Sequence, residues 1–371
     1  MGDKILIIIF SEGLLKEIGG PSISIPKFSS SLRRKGVNSI IFCPKKKLDI
    51  NLLPQDVKAV PYSGYIDFIK ELSRILNSNE FIFDIFHINF IWKFELLILF
   101  FTAFLYKVKI ILNPRGMLTK EAISSGSVLK KPLLNYFMKP LLNRNITCFQ
   151  ASSKNECDEL ERIFPKKRIF INTLGFERFK ENEVQNVSHS KKFSSKTLLV
   201  ISRIDSHKNI QEVISSFIRS EIYRQGWSLK IFGAESLTDY EEIIDKENLE
   251  NLSSFKIELY EFISRSEKVR LISNSSFFIS ASKSESYGLS IAESLDLGTP
   301  IIIRNNTLWE EYITRGCGYS FDSEGLDQIM LKLKTLDLSE YSSLVENIQS
   351  KFKPETWDNH TEIFLKELKT V

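Results

Sequence analysis

Lys4-Ile5-Leu6-Ile7-Ile8-Ile9-Phe10 is an unbroken apolar run dominated by β-branched side chains. It does not alternate apolar with polar residues, so it reads as a strand covered on both faces, the situation in a parallel sheet. Beyond it the chain turns through Gly13, Gly19 and Gly20, and a helical pattern from Pro21 to about Lys35 stops at Gly36. Residues 38–42 read as the next strand, followed by strands at 81–90, 108–112 and 146–149, each set apart by helical periodicity. Strand–helix–strand order repeated in this way predicts a Rossmann-like parallel sheet.

The chain of 371 residues exceeds what one core usually supports, and a second series accounts for the excess. Residues 183–195 (EVQNVSHSKKFSS) are polar and without period, which predicts a linker. Strands then read at 197–202, 228–232, 254–259, 276–280 and 300–304, with a final helix at about 355–369. The expected architecture is α/β with two Rossmann-like domains, residues 1–182 and 196–354, and a C-terminal helix, 355–371, packing back toward the first.

Composition bounds the function. Hydrophobic residues at 43% and charged residues at 26% exclude a disordered or collagen-like chain. Cys43, Cys148, Cys157 and Cys317 are scattered, which argues against a disulfide scaffold and a structural zinc site and for reduced thiols in a cytosol. The start carries no signal-peptide pattern, so a cytoplasmic protein is expected. The net charge of +4 is unevenly spread: residues 1–180 hold 28 Lys and Arg against 16 Asp and Glu, the remainder 22 against 30. A basic front half suits nucleic acid, anionic lipid or a phosphorylated substrate.

The most apolar stretch, residues 96–106 (LLILFFTAFLY), is far short of the about 20 residues of a spanning helix and reads as a buried core helix. Residues 130–144 (KKPLLNYFMKPLLNR) interleave apolar side chains with four cations and no acid. They fit either a helix resting on an anionic membrane or one packed on its own domain.

Several chemistries are missing: no P-loop, no G-x-G-x-x-G after the first strand, no D-x-D metal pair, and only four dispersed histidines. What stands out is Ser282 to Pro300 (SKSESYGLSIAESLDLGTP), with Glu285 and Glu293 eight apart around Tyr287-Gly288-Leu289. A strand ending near Ala281, a turn at Gly288 and a helix from Leu289 would present free N–H groups and a dipole end to an anion. Two carboxylates beside that point suit sugar and ribose hydroxyls, although solvated glutamates flanking a helix cap would show the same spacing. In Val200 to Asn209 (VISRIDSHKN), Arg203 and Lys208 sit at the end of a parallel strand, where such sheets bind ligands. There they would neutralise a diphosphate as its charge grows.

Taken together these stretches resemble the retaining nucleotide-sugar glycosyltransferases of family 4, which have the GT-B fold. The E-x7-E motif with Gly288-Leu289 inside it, the small-residue turn Gly298-Thr299-Pro300 and the Arg203/Lys208 pair are similar to theirs. So are Gly19-Gly20-Pro21-Ser22 after the first strand, Asp84-Ile85-Phe86-His87 at a strand end, and Asn113-Pro114-Arg115-Gly116-Met117-Leu118, which resembles members that build bacterial surface polysaccharides.

The resemblance implies two domains facing a cleft. It implies that Arg203 and Lys208 grip the donor diphosphate and that Glu285 contacts the transferred sugar. Backbone amides of Tyr287, Gly288 and Leu289 would meet sugar and phosphate, and Glu293 the ribose. Gly19 and Gly20 would let a loop approach phosphate, and His87 would lie beside the sugar. Arg115 is the acceptor-side candidate, and Glu261 and Phe262 lie where the base would be read.

The chain departs from the family at Asn89-Phe90, where a histidine and a glycine are usual, at Thr173-Leu174-Gly175-Phe176, and at Tyr260-Glu261-Phe262. The implied reaction is metal-independent retaining transfer of a hexose or N-acetylhexosamine from a UDP-sugar, ahead of a GDP-sugar, with no cofactor. The implied acceptor is a saccharide, polyprenyl-diphosphate-linked, in O-antigen, capsule or related synthesis at the inner membrane face. The rival readings are a GT-B nucleotide-sugar epimerase and a non-catalytic sugar-nucleotide-binding subunit; no nucleic-acid module is present.

Overall fold

The computed structural model describes residues 5–15, 19–78, 82–124, 130–204, 207–234, 240–241, 252–261, 263–283, 285, 287–305, 307–322 and 325–370. Two compact units emerge, one of Met1–Phe176 with Glu355–Val371 and one of Glu177–Pro354.

The first unit is built on a parallel sheet. Among the described residues its strands are β1 (Ile5–Phe10), β2 (Asn38–Pro44), β3 (Lys58–Tyr62), β4 (Ile82–Ile88), β5 (Lys109–Leu112), β6 (Cys148–Ala151) and β7 (Arg168–Ile171). Their order is β3-β2-β1-β4-β5-β6-β7. β1 is buried from Leu6 to Phe10, as its continuous apolar run requires. Leu6, Ile8 and Phe10 share one core with inward residues of the helices Tyr65–Leu76 and Glu95–Tyr106, with Leu142 of Lys139–Asn145, and with Leu160 of Lys154–Ile163.

On its other side, helix Gly20–Arg34 packs against the C-terminal helix Trp357–Leu368. Phe28 meets Phe364 edge-on at 4.9 Å, Ser31 Oγ donates to the Trp357 carbonyl at 3.0 Å, and Arg34 pairs with Asp358 at 2.8 Å. A Cβ on Gly175 would lie 2.6 Å from Trp357 Cα, so glycine there is what lets the returning helix seat.

Helix Glu95–Tyr106 is not the buried core helix its composition predicts. Leu96, Leu99, Phe100 and Ala103 face inward, whereas Phe101, Phe104, Leu105 and Tyr106 are exposed. With both faces apolar, composition alone could not say which would be covered. In the stretch 130–145 the chain forms a π-helical turn, Leu134–Met138, between Lys130–Leu133 and Lys139–Asn145; Pro140, just beyond it, has no N–H to continue α-helical bonding.

The second unit has β8 (Thr197–Ile201), β9 (Ser228–Ala234), β10 (Ile257–Glu261), β11 (Phe277–Ser280), β12 (Ile301–Arg304) and β13 (Gly318–Phe321), in the order β10-β9-β8-β11-β12-β13 and again parallel.

The expected linker is a correction. Residues 177–195 belong to the second unit and are tied to it: Arg178 to Asp296 at 3.0 Å, the Phe179 N–H to Asp296 at 2.8 Å, and Gln185 to Asn274 at 3.0 Å. Within the stretch lies a helix, His189–Ser194, on which Lys192 is buried. Its Nζ donates to the carbonyls of Leu297 and Gly298 and to Thr299 Oγ1, at 2.6, 2.9 and 3.1 Å. Burial pushes this ammonium down to about 7. Polar composition here reflects specific partners rather than solvation.

Candidate active site

In the second unit β8 and β11 are neighbours, but the chain leaves them in opposite directions, β8 toward β9 and β11 toward β12. Loops that diverge from adjacent strand ends open a crevice at the carboxyl edge of a parallel sheet. The sequence places Arg203 and Lys208 after β8, and Glu285 and Gly288 after β11, so both candidate sets fall at this one point.

The structure joins them. Lys208 Nζ lies 2.6 Å from Glu285 Oε1, with both side chains largely shielded from solvent, and Ser282 Oγ donates to the same carboxylate oxygen at 2.7 Å. The Lys283 N–H donates to the His207 carbonyl at 2.9 Å, tying the two loops together. Arg203 is exposed at the end of β8.

Gly288 is the N-cap of helix Leu289–Asp296 with φ of 82°, a left-handed conformation natural to glycine. A Cβ there would sit 2.9 Å from Ile291 Cδ1 and 3.2 Å from Trp309 Nε1. Tyr287 is itself buried edge-on against Trp309, whose indole N–H donates to the Tyr287 carbonyl. The Tyr287-Gly288-Leu289 backbone is thus held from behind, at a helix start, where N–H groups fall outside the i to i−4 pattern. Glu293, on the same helix, forms an ion pair with Lys268, and Lys268 also reaches Ser290 Oγ at 3.2 Å. At the far end of the helix the buried Lys192 caps the carbonyls of Leu297 and Gly298.

Lys268, Trp309 and Lys192 lie in stretches without a motif, so nothing in the sequence marks them for this site. Gly233 carries no such mark either. At φ of 131°, its Cβ would fall 1.9 Å from the Ser202 carbonyl oxygen, so only glycine lets β9 end against the Arg203 loop. Glu261 ends β10 and is exposed, and Tyr260 stacks on Phe232 at 4.4 Å. Phe262 lies outside the described residues.

The first unit has its own reversal, at β1 and β4. Gly19, at φ of 77°, precedes helix Gly20–Arg34, and Ser22 Oγ donates to the Leu15 carbonyl at 2.6 Å. His87 does not lie on an open face. It is 1% exposed, and its ring meets Phe28 and Phe364 edge-on. Its Nε2 lies 3.0 Å from Gln150 Oε1, and Asn89 Nδ2 lies 3.2 Å from Nδ1. Both contacts are satisfied when Nε2 carries the proton. Burial, with the nearby Arg115 charge adding to it, holds His87 down at about 3. The expected position of His87 beside a sugar is therefore corrected: aromatic rings enclose a neutral, structural imidazole.

Asn89, the departure from the family pattern, relays that imidazole to a cation. Arg115 Nε donates to Asn89 Oδ1 at 2.8 Å and Nη1 to Ser24 Oγ at 2.9 Å. Arg115 has φ of 51°, and its N–H donates to Asn113 Oδ1 at 3.2 Å. Buried Glu156 fixes this turn by accepting the N–H groups of Gly116 and Ser152 at 2.6 and 2.7 Å. Only the 113–116 stretch hinted at this, since a strained turn needs a neighbour to hold it.

Comparison with known proteins gives these geometries a setting. Residues 181–351 match the family model of glycosyl transferases group 1. The matched region lies within the second unit and contains Arg203, Lys208, Glu285 and Glu293. The alpha-monoglucosyldiacylglycerol synthase of Streptococcus pneumoniae is 24% identical over 320 residues, 80% of this chain and 70% of its own length. Anabaena HepE, solved in complex with UDP-glucose, superposes with a TM-score of 0.75 at 13% identity, over 99% of this chain and 100% of its own. WaaG, a glycosyltransferase involved in lipopolysaccharide biosynthesis, gives 0.69 at 12% identity over 99% and 100%. The fold is GT-B.

Proposed function

We propose that this protein is a retaining glycosyltransferase that takes a hexose or N-acetylhexosamine from a nucleotide diphosphate sugar, a UDP-sugar ahead of a GDP-sugar. It would pass the sugar to a saccharide acceptor carried on a lipid, in the synthesis of O-antigen, capsule or a related polymer. The observation that carries the reading is the Lys208–Glu285 pair beside the capped turn at Gly288, at the reversal point of the second sheet and inside the family match.

In this reading the donor diphosphate draws Lys208 away from Glu285 and shares it with Arg203, while Glu285 turns to a sugar hydroxyl. Glu293 accepts the ribose hydroxyls, exchanging its Lys268 partner for them. The C1–oxygen bond to the diphosphate breaks with its electron pair passing to the departing oxygen. The acceptor hydroxyl attacks C1 from the same face, and its proton moves to that phosphate oxygen. Positive charge from Lys208 and Arg203 grows more favourable as the leaving group gains charge, so stabilisation is greatest in the transition state. These cations stand in for a metal ion, so transfer is expected to persist in chelator. Arg115, half-buried and held by Asn89 and Ser24, is the acceptor-side candidate of the first unit.

The lipid-borne acceptor is supported by the name of the pneumococcal relative, a diacylglycerol glycoside synthase, and by the basic first half of the chain. Transfer to a lipid-linked acceptor, with the anomer of the product read by NMR, tests the proposal. A product of the donor's own anomeric configuration is expected; an inverted product would refute the mechanism, and epimerised donor without acceptor would favour the epimerase.

A further inference from the structure

β12 is apolar and buried from Ile301 to Ile303 and ends on a charge, Arg304, whose side chain is 15% exposed. A shielded guanidinium must find partners, and those of Arg304 lie on both sides of the candidate site. Its Nε donates to the Ala281 carbonyl at 3.2 Å, just before Ser282 opens the loop that carries Glu285. Its Nη2 pairs with Glu212, itself 20% exposed, on helix Ile210–Ser220, which begins just beyond Lys208. The guanidinium lies over the ring of Phe321, its register neighbour on β13, at 5.3 Å.

Glu212 in turn fixes the backbone next to Lys208. Asn209, the N-cap of that helix, has φ of 53°, a left-handed conformation that a residue with a Cβ adopts only when it is held. Its Nδ2 donates to the same Glu212 oxygen that Arg304 holds, and the Glu212 N–H donates to the Asn209 carbonyl at 3.2 Å. One carboxylate thus receives the β8 side of the crevice through Asn209 and the β11 side through Arg304. Ion pairs on an open surface contribute little. This pair is shielded at both ends, and the guanidinium fork spends separate N–H groups on two different loops.

We propose that Arg304 and Glu212 are positioning residues that keep Lys208 and Glu285 in place once a donor has parted them; the proposal rests on the donor-site reading. In that reading the diphosphate draws Lys208 off Glu285, so the contact that now joins their two loops is lost during the reaction. The bond from the Lys283 N–H to the His207 carbonyl and the bridge through Glu212 and Arg304 then still join them. A misplacement of about 1 Å at a reacting centre costs on the order of 10²-fold in rate, so a strut that outlasts the Lys208–Glu285 contact matters to turnover. Neither Arg304 nor Glu212 needs to touch the donor for this.

Removing one charge alone would strand the other, so the test replaces both in the full chain, Glu212→Leu/Arg304→Met, an exchange that commonly leaves stability intact. Thermal denaturation, calorimetric titration with UDP, and UDP release from whichever of UDP-glucose and UDP-N-acetylglucosamine the unaltered chain turns over are compared. An unchanged or raised thermal transition, UDP affinity within about threefold and turnover lower by on the order of 10²-fold are expected. Adding Lys208→Ala to this variant is expected to cost about threefold or less, because the strut acts through Lys208. Arg304→Lys keeps the charge, but one ammonium cannot span Glu212 and Ala281; it is expected to show the same split between turnover and affinity, and it serves if the double variant does not fold. Hydrogen exchange without nucleotide, in Lys208→Ala chains, reads the strut itself: segments 207–210 and 281–283 are expected to exchange faster when Glu212→Leu/Arg304→Met is added. Because that arm uses no donor, failure of UDP to bind the unaltered chain would refute the donor reading, whereas unchanged exchange would refute the strut. Turnover left intact, or turnover, UDP affinity and thermal stability falling together as in a merely structural contact, would also overturn the proposal.

Discussion

Lys208 and Glu285 pair at 2.6 Å, and that arrangement defines how the proposed donor site would work. An anionic donor would exchange a carboxylate partner for a phosphate one, so in the proposed mechanism ground-state binding would gain little from Lys208, whereas a departing diphosphate would gain much. Lys208→Ala is therefore expected to lower kcat by on the order of 10²-fold with a small change in donor Kd. Steady-state kinetics beside nucleotide titration would check this; an equal loss in both would contradict the leaving-group role. Glu285, Glu293, Arg203 and Lys208 could be singled out in the sequence because their spacing survives as a motif. Lys268 and Trp309 could not, because each reaches the site across the fold from a stretch without pattern. His87 shows the opposite failure: the residue matched a motif, but Phe28 and Phe364, distant in sequence, enclose it.

Among elements, the strand-to-helix turn at Gly288 carries the site's geometry. A side chain there must adopt φ of 82° and press on Ile291 and Trp309 at 2.9 and 3.2 Å. The left-handed conformation alone costs a non-glycine residue about 1–2 kcal/mol. Gly288→Ala is expected to lower stability by about that amount, and to weaken nucleotide binding by more than thermal loss explains, because the turn's N–H groups shift. Denaturation and titration of the same variant separate the two effects; unchanged binding would show that the turn does not face the ligand. The central strands of both sheets were legible because burial on both faces forces a continuous apolar run. β3, β7 and β13 escaped notice, and all three are edge strands. One edge carries no partner, so Lys58-Ala59-Val60-Pro61-Tyr62 can hold a lysine and a proline that a central strand would reject. The helix Glu95–Tyr106 carries apolar side chains on both faces, so periodicity does not distinguish its exposed face from its buried one.

At the scale of the whole molecule, the chain crosses from the first unit to the second at Glu177 and returns at Glu355. The crossing was misplaced by a polar stretch whose partners lie far along the sequence. The returning helix brings His360 beside Phe28, and burial lowers that histidine to about 4, as it lowers His87 to about 3. Both folded values lie below the ordinary 6.5, so the unfolded chain binds protons first as pH falls. Stability contributed by the neutral rings is complete above about pH 6.5 and is lost progressively toward pH 4 and then 3, by up to about 1.4 kcal/mol per pH unit for each histidine. Urea denaturation between pH 7.5 and 4.5 is expected to show the first unit failing earlier as acid increases, and His360→Gln to flatten that slope. A slope unchanged in the variant would remove His360 from the acid response.

The donor site in the second unit is most directly tested by calorimetric titration of the purified chain with UDP and with GDP, using Glu293→Ala as the control. Micromolar binding of UDP, weaker binding of GDP, and loss of both in the variant are predicted. Binding of neither nucleotide, or binding that the variant leaves intact, would contradict a donor site built on Lys208, Glu285 and Glu293.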